Sequence, residues 1–205
     1  MSELLQQAAK ALTAKGYTVR CFSNKKEALT AFLEEVPVSD TIGFGGSVTV
    51  AEMGLCEALM ERGTTIYSHW HIPEGETAKT VQEKAGTADL YVCSSNAVTL
   101  DGKLVNVDGT GNRLASILYG HKRCYFMVGV NKIVADQEAA MERLRAFACP
   151  LNAKRLNKKT PCVKTGRCMD CNSPERICNF TLILERQTPT GVPCTIYLID
   201  EALGL

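Results

Sequence analysis

Four cysteines lie close together near the C-terminal end of the chain. Cys162, Cys168, Cys171 and Cys178 follow the spacing C-x5-C-x2-C-x6-C. Thiolates are soft ligands, and a C-x2-C pair on a tight turn lets two sulfurs reach one metal centre. The residues between them include glycine, proline, asparagine and aspartate, which favour turns. The spacing therefore predicts a loop wrapped around a metal centre rather than a helix or a strand.

Three interpretations of this cysteine loop compete. A [4Fe–4S] cluster is favoured, because the nearby ligands are cysteines alone. A structural zinc site is the first alternative, although zinc sites usually have two C-x2-C pairs or histidine ligands. Cysteines without a metal are the second alternative, and disulfides are disfavoured because nothing in the sequence indicates secretion. Cys149, which precedes Pro150, is a further candidate ligand in place of Cys162.

Length and composition limit the classes of function. The chain has 205 residues and a formal net charge of +1, so overall charge gives no support to nucleic-acid binding. No apolar run approaches the roughly 20 residues that span a bilayer. The N-terminal residues lack the apolar core of a signal peptide. We therefore expect a cytoplasmic protein with neither a membrane span nor nucleic acid as a partner, whose ten cysteines are thiols or metal ligands.

Helical and strand patterns alternate along the first 150 residues. The periodicity predicts helices over residues 2–15, 23–35, 50–62, 76–85, 111–119 and 136–147, with strands over 17–22, 41–44, 64–67, 90–94 and 123–130. Asp101-Gly102 predicts a hairpin between residues 96–100 and 103–108. Two further strands are expected over 180–185 and 194–199. This pattern indicates an α/β fold with an open, mainly parallel sheet and flanking helices.

The chain is predicted to divide into two parts. Residues 1–150 form the α/β domain. Residues 151–205 form a cysteine-rich region whose two strands complete the sheet. The connection at 151–161, which carries five lysines and arginines and few large apolar groups, is expected to be exposed and solvated.

Three polar loops follow predicted strands and are candidate binding elements. Ligands in such sheets bind at the carboxyl ends of the strands, and glycine lets the backbone approach an anion closely. The first loop matches neither the phosphate-binding nor the dinucleotide-binding fingerprint. Arg113 could hold a carboxylate or phosphate with both arms of its guanidinium. The candidate binding residues are Gly45, Gly46, Ser47 and Thr49, then Ser95 and Asn96, then Gly109, Thr110, Gly111, Asn112 and Arg113.

Several segments together resemble the LUD domain, the lactate-utilisation family of LutC and YkgG type. The resemblance lies in residues 45–49 (GGSVT), 88–96, 101–113 and 128–134 (VGVNKIV), and it covers about residues 2–147. The cysteine loop resembles a tail found in a subset of this family. The family fold is similar to that of CoA transferases and ribose-5-phosphate isomerases. Those transferases carry a nucleophilic glutamate at the turn where this chain has Ser95, so the resemblance does not extend to acyl-CoA exchange.

The resemblance implies a part in oxidising L-lactate to pyruvate, usually within an iron–sulfur complex. The expected function is electron transfer through a [4Fe–4S] cluster, coupled to a small hydroxy or keto acid. The chain would then be a component of an oxidoreductase. The alternative is a protein that binds an anionic metabolite and carries a structural zinc ion. The expected partners are a small anionic metabolite and redox partner proteins, and a second copy of the chain, as in a homodimer, is a further candidate.

Overall fold

The computed structural model describes all 205 residues. Nine helices alternate with the strands. They are α1 (Glu3–Ala14), α2 (Lys25–Glu35), α3 (Val48–Glu52), α4 (Leu55–Glu61), α5 (Ala78–Ala85), α6 (Asn112–Leu118), α7 (Gln137–Arg143), α8 (Cys149–Arg155) and α9 (Pro161–Thr165).

Ten strands form two sheets. They are β1 (Thr18–Phe22), β2 (Ile42–Phe44), β3 (Ile66–Tyr67), β4 (Leu90–Cys93), β5 (Ala97–Thr99), β6 (Leu104–Asp108), β7 (Arg123–Gly129), β8 (Ile133–Val134), β9 (Phe180–Leu184) and β10 (Cys194–Ile199).

The larger sheet has six parallel strands in the order β1-β10-β7-β4-β2-β3. Its central strands are apolar on both faces because helices cover both sides. In β7 the side chains alternate: Cys124, Phe126 and Val128 pack in the core under α1, whereas Tyr125 and Met127 pack in the core under α2 and α4. The predicted α/β class with a mainly parallel, helix-flanked sheet is confirmed.

The smaller sheet has four strands in the order β8-β5-β6-β9. The predicted hairpin around Asp101-Gly102 is present, with β5 antiparallel to β6. Gly102 has a φ of 86°, the left-handed conformation that glycine adopts without strain. Strand β9 runs antiparallel to β6, with Leu184 opposite Leu104 and Phe180 opposite Asp108. This pairing brings the cysteine loop, which ends at β9, onto the hairpin.

The two C-terminal strands join different sheets. β9 is an edge strand of the smaller sheet, whereas β10 lies inside the larger sheet between β1 and β7. The backbone therefore crosses from one sheet to the other after the cysteine loop. The two strands also differ in burial: every residue of β10 is buried, whereas β9 is partly exposed and begins with the exposed Phe180.

Two local predictions were wrong, and a third is refined. The helix predicted over 50–62 is two helices, because Gly54 has a φ of 66° and interrupts it. The connection over 151–161 is largely exposed, as expected, but its first part is helical, since α7 continues through a wider helical turn (Leu144–Ala148) into α8. Pro150 lies just after this wider turn, so a residue without a backbone N–H lies where the helical hydrogen-bond pattern changes. The cysteine loop contains one short helix, α9, which includes Cys162.

The predicted boundary between residues 150 and 151 falls inside α8. No helix of the protein is both long enough and apolar enough to cross a membrane.

Candidate functional site

A polar cavity of about 600 Å³ lies where the three candidate loops meet. Eight of the eleven residues that the sequence singles out form part of its wall, and Gly45, Thr49 and Gly111 do not. The eight are Gly46, Ser47, Ser95, Asn96, Gly109, Thr110, Asn112 and Arg113. The loops converge because β2 and β4 are parallel neighbours in the larger sheet and the β5–β6 hairpin directly follows β4.

Gly45 and Gly111 do not line the cavity, but each shapes the wall that neighbouring residues form. A Cβ atom on Gly45 would lie 3.0 Å from the Arg113 side chain and from the hydroxyl of Tyr91, so glycine leaves the space that Arg113 occupies. Gly111 precedes α6 with a φ of 87°. Its N–H and that of Thr110 donate to the carboxylate of Asp108, which closes the turn between β6 and α6.

Arg113 ties the loops together. Its guanidinium donates to Asn106 Oδ1 at 2.8 Å, to Asn96 Oδ1 at 3.0 Å and to the carbonyl oxygen of Ser94 at 3.2 Å. It also donates to the carbonyl of Val107. The expected two-armed grip on a ligand carboxylate would have to compete with these bonds. Arg113 therefore shapes the cavity and contributes positive charge to it.

The serine hydroxyls of the candidate loops are also engaged. Ser47 Oγ accepts the backbone N–H of Val50 and caps α3. Ser95 Oγ donates towards the carbonyls of Ala97 and Val105, and only 1% of Ser95 is exposed. These two side chains stabilise the loops, so a ligand at this wall would meet mainly backbone and amide groups.

Lys132 is a wall residue that the candidate set lacks. Its Nζ donates to Thr49 Oγ1 at 2.7 Å and to Ser94 Oγ at 2.9 Å. It is the only Lys, Arg, Asp or Glu of the chain that is buried, with 4% of the residue exposed. The signal in the sequence was a lysine placed between the strongest buried-strand pattern and the apolar pair Ile133-Val134.

The charge of the cavity wall is positive. Five basic and two acidic side chains line it, and the acidic Asp108 lies 3.8 Å from the guanidinium of Arg113. The basic set is Arg113, Lys132, Arg155, Lys158 and Arg176. A wall with this balance favours an anionic ligand over a cation or a neutral apolar molecule.

A second, smaller cavity is lined by five cysteines. They are the four predicted ligands, Cys162, Cys168, Cys171 and Cys178, together with Cys149. All five are free thiols and each is partly exposed. Cys149 reaches the cavity from the start of α8, and it lies 13 residues before Cys162 in the chain. The structure thus brings the candidate fifth ligand to the same place as the other four.

Two of these sulfurs interact directly. A hydrogen bond from Cys149 and the nearby Arg176 lower the pKa of Cys178 below its ordinary value, whereas the same bond and burial raise the pKa of Cys149. The Arg176 guanidinium also donates to the carbonyl oxygens of Cys171 at 2.7 Å and Cys178 at 3.2 Å. This cysteine cavity therefore has a positive group beside it, which favours thiolate over thiol.

No group of three or more His, Cys, Asp and Glu side chains is arranged to hold a single metal ion. The five sulfurs line a small cavity instead of meeting at one point. The cysteine-only donor set and the adjacent arginine match the chemistry of an iron–sulfur cluster, whose core is larger than one ion. The donor chemistry of the residues present is therefore that of the group that the spacing predicts.

The two cavities share a wall. Arg176 and Ile177 line both of them. The backbone of Ile177 packs so closely on the hairpin that a Cβ on Gly109 would lie 3.3 Å from its Cα. Asn179 fixes this contact, because its side-chain amide donates to the Gly109 carbonyl at 3.0 Å and its backbone N–H donates to Asp108.

Fold and cavities together define an open-sheet α/β protein with a cysteine-lined cavity next to a basic one. The chain belongs to the LUD domain family, whose model matches residues 5–199. It is also similar to the crystal structure of a DUF162 family protein from Deinococcus radiodurans at 1.70 Å resolution, with 14% identity and a TM-score of 0.54 over 97% of this chain and 98% of that one. At that identity the likeness concerns the fold alone. A comparison with curated protein sequences gives no match.

Proposed function

We propose that this LUD domain protein is a redox protein that holds a [4Fe–4S] cluster and binds a small hydroxy or keto acid beside it. Cys162, Cys168, Cys171 and Cys178 are the proposed ligands, and Cys149, which lines the same cavity, is the candidate to replace Cys162. Such a cluster, when bound, supplies one-electron chemistry. The protein would act in the cytoplasm with a redox partner protein, as an oxidoreductase component.

The shared wall of Arg176 and Ile177 is the observation that carries this proposal. A cysteine cavity with a purely structural role has no need to adjoin a ligand cavity. Here one arginine faces both, so its positive charge can favour thiolate sulfur on one side and an anionic ligand on the other. The short span between the two cavities would suit the passage of electrons between them.

The proposed ligand class follows from the wall chemistry. The basic side chains of the wall attract a carboxylate. The side-chain oxygens of Asn96, Asn112 and Asn152 already accept hydrogen bonds from protein groups, so these residues offer their side-chain NH2 groups as donors to a hydroxyl or a carbonyl oxygen. L-Lactate and pyruvate are small representatives of this class, and the family relationship makes them the first compounds to test.

Anaerobic purification with iron and sulfide analysis tests the cluster. We expect a brown protein whose visible absorbance is bleached by dithionite. Cys171→Ser should lose iron and sulfide and keep its circular dichroism spectrum, and Cys21→Ser, on β1 away from the cavity, is the matched control. A colourless protein with stoichiometric zinc would contradict the proposal and favour an anion-binding protein with a structural metal.

The Cys149→Ser and Cys162→Ser variants separate the two candidate fourth ligands. The variant that loses the cluster identifies the ligand, and the other should retain it. Calorimetric titration with L-lactate and with pyruvate then tests the polar cavity. Arg155→Gln should weaken the binding of either acid, because it removes a wall charge. Equal affinity in this variant and in the wild type would argue against binding in this cavity.

A further inference from the structure

Lys132 is held in an unusual position for a lysine. It lies on the tight turn between β7 and β8, in the wall of the polar cavity, and it forms no ion pair with any carboxylate. Its amine contacts only two hydroxyl groups as hydrogen-bond partners, those of Thr49 and Ser94. Burying an unpaired ammonium is costly, so a lysine placed in this way calls for an explanation beyond packing.

The two hydroxyls act as acceptors towards the amine. Thr49 donates its own proton to the carbonyl of Leu203 at 3.2 Å, and Ser94 donates to the carbonyl of Ser95 at 3.3 Å. Each hydroxyl oxygen is then free to accept one N–H from Lys132. A neutral amine has two N–H bonds and one lone pair, so these contacts use both hydrogens and leave the lone pair as the fourth tetrahedral direction. The third hydrogen of an ammonium would have no acceptor among the groups of this protein.

The surrounding charges favour the neutral amine as well. Burial, followed by the positive charges of Arg143 and Arg113, lowers the pKa of Lys132 to about 7, against opposing effects of Glu52 and Cys93. Desolvation next to other cations is one of the known ways in which a lysine becomes a nucleophile.

We propose that Lys132 forms an imine with the carbonyl carbon of an α-keto acid bound in the polar cavity. The geometry that carries this is a buried amine, held by two hydroxyl acceptors, in the wall of a basic cavity. The choice of a keto acid rests on the proposed function, but the reaction requires neither a cluster nor an electron acceptor. Arg155 and Arg176, in the same wall, contribute positive charge towards the ligand carboxylate. A direct contact would compete with the bonds that Arg155 donates to Asn152 and that Arg176 donates to Asp170 and the cysteine loop.

The step balances without a further reagent. The lone pair of Nζ attacks the carbonyl carbon, a C–N bond forms, and the carbonyl π electrons move to oxygen. The resulting carbinolamine then loses water, which carries away the carbonyl oxygen, one amine hydrogen and one proton from the solvent. The remaining hydrogen stays on the protonated imine, where it can donate to Thr49 or Ser94. The reaction is a condensation without net oxidation or reduction, so it needs no external oxidant or reductant.

Reductive trapping tests the proposal directly. The purified protein is incubated at neutral pH with pyruvate and sodium cyanoborohydride, and the modified residues are located by peptide mass spectrometry. We expect a single adduct at Lys132 with near-complete occupancy, and its yield should rise as the pH increases through about 7. Lys122, which is exposed and paired with Asp89 at 2.8 Å, is an internal control that should stay unmodified.

Lys132→Arg is the matched variant, because it keeps a basic group but cannot form an imine. This variant should give no adduct at position 132 and no new adduct at any other lysine. If this variant does not fold, the peptide map of the wild-type protein is itself decisive, since it shows which lysine reacts. Acetate, a carboxylate without a carbonyl, should slow trapping by competing for the cavity.

Absence of an adduct at Lys132, or a spread of adducts over exposed lysines, would overturn the proposal. Iron and sulfide analysis of the same preparation reports separately on the proposed function. A protein that loads a cluster but forms no adduct therefore refutes only the imine, and an adduct in a protein without iron refutes only the cluster.

Discussion

Replacing Lys132 with methionine should change how the stability of the protein depends on pH. The pKa of this lysine in the folded protein is about 7, whereas in the unfolded chain it has the ordinary value of about 10.4. Because the folded value is the lower one, the unfolded chain binds more protons between these two values. Stability then rises with pH across this window, and below about pH 7 the full cost of burying the ammonium is present.

The size of the effect follows from the window. Each pH unit between the two pKa values adds about 1.4 kcal/mol to the free energy of unfolding. From about pH 7.5 to about pH 9.5 the wild type should therefore gain about 2–3 kcal/mol relative to Lys132→Met. Thiols and tyrosines that titrate in the same range are common to both proteins, so their effects cancel in the difference.

Urea unfolding of both proteins at a series of pH values measures this difference. Lys10→Met, which removes an exposed lysine of α1, is the control and should show no such trend. A stability difference between wild type and Lys132→Met that stays constant with pH would refute the reasoning. It would mean that Lys132 keeps its proton in the folded protein throughout this range.

Three further substitutions test the scaffold, each by urea unfolding. Glu35→Gln should lower the free energy of unfolding by about 2 kcal/mol at neutral pH, because burial opposes ionisation but is outweighed by hydrogen bonds from two tyrosines and an arginine, which lower the pKa of Glu35. The difference from the wild type should shrink as the pH falls through that pKa, and a difference that does not depend on pH would contradict this reasoning. Gly43→Ala should cost about 3 kcal/mol, since the new Cβ would lie 2.9 Å from the Cα of Ala85, and a stable variant would show that α5 can shift. Arg113→Lys should lower the free energy of unfolding by about 2–4 kcal/mol, because a lysine amine cannot make all the hydrogen bonds of the guanidinium, one of which goes to the buried Asn106. A loss below about 1 kcal/mol would mean that water replaces those bonds.

Short-range signals predicted most of the elements. Alternating helices and strands, glycine at helix ends and the Asp101-Gly102 turn each depend on residues a few positions apart. The predicted elements that failed did so where local signals conflicted. Residues 151–155 include two basic side chains, yet they form part of α8, because the wider turn at Leu144–Ala148 delivers the chain in a helical conformation and Ala153 is buried. Propensity is a weak guide where tertiary packing decides.

The candidate site was predictable only in part. Strand polarity placed the three loops at one end of the sheet, and the structure brings them around one cavity. Most hydrogen bonding within the loops was not predictable, so the engagement of Arg113 and Ser95 by other protein groups could not be foreseen. A helix cap at Ser47 or Thr49 was the expected alternative to ligand binding at the first loop, and Ser47 is the cap. Lys132 was missed because its two partners lie 83 and 38 residues away in the chain.

The sequence alone determined the class of the fold, the hairpin and the cluster of four neighbouring cysteines, since each depends on the spacing of residues that are close in the chain. The tertiary structure decided that Cys149 lines the same cavity as those four cysteines, that the cysteine loop packs on Gly109, and that Lys132 lines the basic cavity. These contacts depend on β9 pairing with β6 and on β10 lying between β1 and β7. Such pairings join segments that are far apart in the chain, so no local pattern of residues encodes them.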